Sequence, residues 1–93
     1  MNVYLVCFDI SDDRIRTRVS KLLERYGDRV QKSVFEITLR SPAALKKLQQ
    51  QLTDLMLPEE HQLRFYRLCS QCRQTSHDLS GQAIADFPAM IIV

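Results

Sequence analysis

Glycine and proline are scarce in this 93-residue chain, with two and three copies, which argues against a disordered or low-complexity architecture. Histidine occurs twice, leaving a histidine-based ribonuclease site little to draw on. Three cysteines, an odd number, supply no disulfide framework, and the chain reads as cytoplasmic with reduced thiols. Glycine-rich phosphate loops are missing, as are Ser-His-Asp and Cys-His arrangements. No apolar run approaches the ~20 residues that cross a bilayer. Met1-Asn2 leads straight into a short strand-like run rather than a signal peptide, so no membrane partner is expected.

What is present suits one small domain. The chain is 45% apolar, enough for a modest core, and a domain of this size gains by burying surface against a second copy of itself. The formal charge is only +2 but unevenly spread. Between Arg14 and Lys32 lie seven basic residues, Arg14, Arg16, Arg18, Lys21, Arg25, Arg29 and Lys32, against the acids Glu24 and Asp28. Such an excess suits a phosphate backbone, and equally a solvated helix face.

Residues 2–9 form a nearly continuous apolar run rich in β-branched and aromatic types, predicting a strand buried on both faces. Ser11 is the expected helix cap, with Asp12 and Asp13 in the first turn. Ile15, Val19, Leu22, Leu23 and Tyr26 then fall at helical spacing, and Gly27 supplies the stop. Two short strands follow near 29–32 and 34–39, turning at Ser33; one bent strand is the alternative. Ser41-Pro42 opens a second helix with Leu45, Leu48, Leu52 and Leu55 as its buried stripe. Pro58-Glu59-Glu60 connects it to an alternating strand over residues 63–68. The order is β-α-β-β-α-β, an α+β ferredoxin-like sandwich with two helices on one face of an antiparallel sheet.

Residues 1–70 are expected to make that core and 71–93 an extension. Ala89-Met90-Ile91-Ile92-Val93 predicts an extra C-terminal strand, placed on a partner's sheet edge or folded back on its own. Cys69-Ser70-Gln71-Cys72 is a CxxC, half of a structural zinc site with His77 as a further candidate; ordinary thiols are the plainer alternative.

The chemistry concentrates at Asp9. A carboxylate at the tip of a buried strand reaches a ligand from the sheet rim, and Arg14, Arg16 and Arg18 follow directly. Magnesium wants oxygen ligands and often takes one or two carboxylates plus substrate phosphate. One chain offers one such aspartate, so a two-fold dimer offers two; a simple turn cap is the alternative role. Arginines two apart on a helix point about 200° from one another, so at most two of the three share a surface. Arg18 with Arg25, or Lys21 with Arg25, forms the next stripe. Phe35 offers a ring for a base, or for the core.

These residues resemble the second CRISPR-associated protein family ("Cas two"), the small subunit of the spacer-acquisition machinery. The likeness is carried by Tyr4-Leu5-Val6-Cys7-Phe8-Asp9-Ile10-Ser11-Asp12-Asp13 with Arg14 and Arg16. It continues through Leu22-Leu23-Glu24-Arg25-Tyr26-Gly27-Asp28-Arg29-Val30-Gln31-Lys32-Ser33-Val34-Phe35-Glu36. Ser41-Pro42-Ala43 and Arg64-Tyr66-Leu68-Cys69 complete it, over about residues 1–72.

The resemblance implies a homodimer and a phosphodiesterase dependent on Mg²⁺, with Mn²⁺ as substitute, that cuts single-stranded RNA or double-stranded DNA. It also implies a partner, the "Cas one" integrase, whose two dimers the small subunit joins around new spacer DNA. Carried over by position, Asp9 is the metal ligand and Asp9, Arg16 and Arg18 the catalytic set. Arg14, Arg16, Arg18, Arg29, Ser33 and Phe35 are the nucleic-acid contacts. Phe8 stands where members most often carry tyrosine. The expected reaction is metal-assisted hydrolysis, with Arg16 or Arg18 neutralising charge in the transition state. A non-catalytic scaffold that positions duplex DNA through its arginines is the rival expectation.

Overall fold

Val3, Tyr4, Val6 and Phe8 are β-branched or aromatic β-formers in one short apolar run, and the chain accordingly begins with a strand, β1 (Asn2–Phe8). The computed structural model describes residues 1–56 and 62–84; the expected Pro58-Glu59-Glu60 connection, His61, and the strand Ala89-Met90-Ile91-Ile92-Val93 lie outside them. Helix α1 (Asp13–Glu24), strands β2 (Gly27–Gln31) and β3 (Val34–Leu39), helix α2 (Pro42–Leu55), strand β4 (Leu63–Leu68) and the short helix α3 (Ser70–Gln74) follow.

The four strands form one sheet in the order β2-β3-β1-β4. β1 is central, antiparallel to β3 through Val6↔Phe35 and to β4 through Val6↔Phe65. Both helices cover one face. Tyr4, Val6, Phe8, Phe35, Ile37 and Leu39 from the sheet meet Ile15, Val19, Leu22 and Leu23 of α1 and Leu48 and Leu52 of α2. Each such side chain taken fully from water contributes roughly 1.5–3 kcal/mol, so this layer supplies the main drive to fold. The other face is wetter: Leu5 and Cys7 are half-buried, so β1 is not sealed equally on both sides as its apolar run suggested.

Two local expectations are corrected. Asp12, not Ser11, caps α1: its backbone is extended, and its carboxylate accepts from the amides of Arg14 at 2.9 Å and Ile15 at 3.1 Å. Asp13 is then the acid of the first turn. Gly27 does not stop the helix but begins β2, paired with Ile37; a Cβ there would lie 1.9 Å from the Glu36 carbonyl oxygen. That close approach moves β2 two residues earlier than the apolar pattern placed it. Ser41 caps α2 as expected, accepting from the Ala44 amide at 3.2 Å, with Pro42 following.

Beyond α3 the chain makes a tight turn. His77 bridges to Ala83, and the Asp78 carboxylate accepts from Ser80 Oγ at 2.7 Å and the Gln82 amide at 2.9 Å. These bonds hold the Asp78 carboxyl below the usual carboxylate range. Gly81 takes the left-handed φ of 92° that the turn requires. The turn stands over the open sheet face, enclosing a cleft of about 830 Å³ with Leu5, Cys7, Val30 and Val34 on one wall and Leu79 and Ile84 on the other.

Candidate functional site at the end of the central strand

Because β1 runs antiparallel to both neighbours, its C-terminal end emerges between the starts of β3 and β4. The Phe8 amide donates to the Ser33 carbonyl at 3.1 Å, and the Asp9 amide to the Gln62 carbonyl at 2.8 Å. Ile10, 3% exposed, drops back into the core. The Asp9 backbone is thus fixed on three sides while its side chain is exposed. Among the described residues the Asp9 carboxylate has no hydrogen-bond or ion-pair partner. It lines a shallow cleft of about 240 Å³ with Cys7, Phe8, Gln62 and Arg64.

The expected arginines disperse. Arg16 turns toward its own loop, its guanidinium donating to the Ile10 carbonyl at 2.9 Å and pairing with Asp13. It ties the 9–12 loop to the first turn of α1. Arg18 lines a different cleft, of about 410 Å³ between α1 and α2, with Lys21, Leu22, Arg25 and Gln51. The expected catalytic pairing of Asp9 with Arg16 or Arg18 is therefore not formed within the described chain, because Arg16 is taken up by the Ile10 carbonyl and Asp13 and Arg18 faces another cleft. Arg14 is exposed near the start of α1.

Ser33 meets the site through its backbone, and Phe35 through the core. Phe35 is 0% exposed, stacked on Phe8 with centroids 6.1 Å apart, and has no face for a base. Arg29 covers the Phe35 ring at 5.6 Å and donates to Ser20 Oγ at 2.9 Å, tying β2 to α1.

Sequence reasoning missed Arg64 as the cation of this cleft. It stands opposite Cys7 in the β1–β4 register, and its guanidinium donates to the Tyr66 hydroxyl at 3.2 Å, which raises the Arg64 pKa further. The alternation of Leu63 and Phe65 with Arg64 and Tyr66 held the signal, but only the register places Arg64 beside Asp9.

An exposed carboxylate, unpaired among the described residues and sharing a cleft with an arginine, suits a hard cation and the phosphate that travels with it. One chain supplies only part of such a shell: among the described residues, no group of three or more His, Cys, Asp or Glu side chains could hold a metal. The donor chemistry fits magnesium, provided that further oxygens come from a second chain, substrate or water.

The sequence matches the family described as CRISPR associated protein Cas2 over residues 1–76. It is 50% identical over 72 residues, 76% of each chain, to a protein of Chloroflexus aurantiacus named CRISPR-associated endoribonuclease Cas2 1. A Synechocystis protein named CRISPR-associated endoribonuclease Cas2 3 is 48% identical over 94 residues, covering both chains completely. Among solved structures, a chain of a partial Cas6-RT-Cas1–Cas2 complex superposes with a TM-score of 0.87 at 39% identity, covering 94% of this chain and 100% of that one. Streptococcus pyogenes Cas2 superposes with a TM-score of 0.73 at 29% identity, over 83% and 98%.

Proposed function

The chain belongs to the CRISPR-associated Cas2 family, and on that footing we propose that it is a metal-dependent phosphodiesterase of CRISPR adaptation, built as a two-fold dimer. The β-α-β-β-α-β order is read as the ferredoxin-like sandwich, and the relative in the Cas1–Cas2 complex supports a Cas1 integrase as partner. Two relatives carry the name endoribonuclease, which supports nuclease activity. The observation that carries the site is the exposed Asp9 carboxylate, unpaired among the described residues, on a backbone pinned by Ser33, Gln62 and Ile10.

In this reading Asp9 of each chain would hold a shared Mg²⁺. The ion, when bound, neutralises phosphate charge and makes water a better nucleophile. Arg64, in the same cleft, binds the scissile phosphate and offsets charge that grows in the transition state. Arg16 keeps the 9–12 loop in register with the strand end. The open sheet face, with Leu5, Val30 and Val34 half-buried or exposed, is the apolar surface that a second copy would cover.

The test is cleavage of single-stranded RNA and duplex DNA by the purified chain with Mg²⁺. Asp9→Asn is expected to lower the rate by about a hundredfold or more with binding retained. A native rate in that variant would contradict the assignment. A second reading, a non-catalytic DNA scaffold, is favoured by the Arg18–Lys21–Arg25 stripe away from Asp9. It requires undetectable cleavage, spacer integration unaffected by Asp9→Asn, and binding that weakens with salt by about 0.9 logarithmic units per neutralised phosphate.

A further inference from the structure

The CxxC at the end of the sheet has a geometry that the Asp9 site does not use. Cys69 lies between β4 and α3, and Cys72 one turn on; both are exposed. Cys69 is the N-cap of α3, its Sγ accepting from the Cys72 amide at 3.3 Å, so its sulfur is turned toward the residue that carries the other thiol. Within one chain the pair falls short of the four ligands that structural zinc takes: no third His, Cys, Asp or Glu joins it among the described residues. His77, the expected third ligand, instead sets Nδ1 against the Thr75 carbonyl at 3.1 Å and bridges to Ala83.

We propose that Cys69 and Cys72 form a reversible dithiol–disulfide site that exchanges with low-molecular-weight disulfides such as glutathione disulfide. The two thiols are unequal in the way that such exchange requires. The hydrogen bond from the Cys72 thiol holds the Cys69 thiol below its ordinary value, and the same contact pushes the Cys72 thiol up. Cys69, whose Sγ accepts from the Cys72 amide at the cap of α3, is the attacking thiolate and Cys72 the resolving thiol.

Cys69 Sγ attacks one sulfur of the small disulfide. A mixed disulfide forms and one small thiolate leaves. Cys72, losing its proton to solvent, then attacks Cys69 Sγ and expels the second small thiolate, so that one small disulfide is reduced to two thiols as the protein gains one bond. The bond closes the first turn of α3 covalently, at the joint between the sheet and the turn over its open face. The site is independent of the Asp9 chemistry and stands or falls separately.

The experiment equilibrates the full chain in glutathione buffers from reducing to oxidising, followed by acid quench, alkylation and peptide mass mapping. The native chain is expected to lose two hydrogens through a Cys69–Cys72 link while Cys7 stays alkylatable. Cys72→Ser should stop at a glutathione adduct on Cys69. Cys69→Ser should take up glutathione about tenfold more slowly. The same titration in guanidinium gives the unfolded reference, where closure should need a more oxidising buffer. A pair that closes no more readily in the native chain than in the unfolded one, or adducts formed in parallel on Cys7, would overturn the proposal.

Discussion

Gly27 and Asp9 show what a single residue decides here, one by lacking a side chain and one by leaving its own exposed and, among the described residues, unpaired. A methyl group at Gly27 would meet backbone atoms at 1.9 and 2.6 Å, neither of which can swing aside as a side chain would. Gly27→Ala should therefore destabilise the fold by about 1–3 kcal/mol, read from urea unfolding. Unchanged stability would mean that β2 does not approach β3 so closely. Asp9 was legible in the sequence because an acid directly after an apolar strand is carried to the sheet rim, where packing has no use for its charge. Arg64 was not legible as its neighbour, since cross-strand register is a product of the whole sheet. Arg16 and Phe35 misled for a related reason. Arginine near an acid suggests a phosphate, and phenylalanine near a site suggests a base, until Ile10 and Phe8 are seen to occupy them.

At the scale of elements the two helices were readable in position, because their apolar stripes keep a 3.6-residue period and α2 has an unambiguous Ser-Pro start. The start of α1 was harder. Three residues capable of capping, Ser11, Asp12 and Asp13, stand in a row, and the choice depends on where Ile10 must enter the core. Asp12 carries the cap, so Asp12→Ala should cost about 1 kcal/mol of stability in chemical denaturation and Asp12→Asn much less. Equal losses in the two variants would argue against capping by the side-chain oxygen. The boundary of β2 shifted because its outer residues are exposed and give no apolar signal; the pairing of Gly27 with Ile37 fixes it.

At the scale of the whole molecule, one layer of helices covers one face of the sheet and leaves the other, with Leu5, Cys7 and Val34, only partly covered by the turn near Leu79. Length and apolar content anticipated a small domain with a modest core, but not which face would be left open, because that depends on how the odd residues of β1 are shielded. The most direct measurement is a titration of the full chain with Mn²⁺ followed by electron paramagnetic resonance. The expected result is one bound ion for every two chains, abolished by Asp9→Asn. One ion per chain, or binding that survives the substitution, would contradict a site shared between two copies.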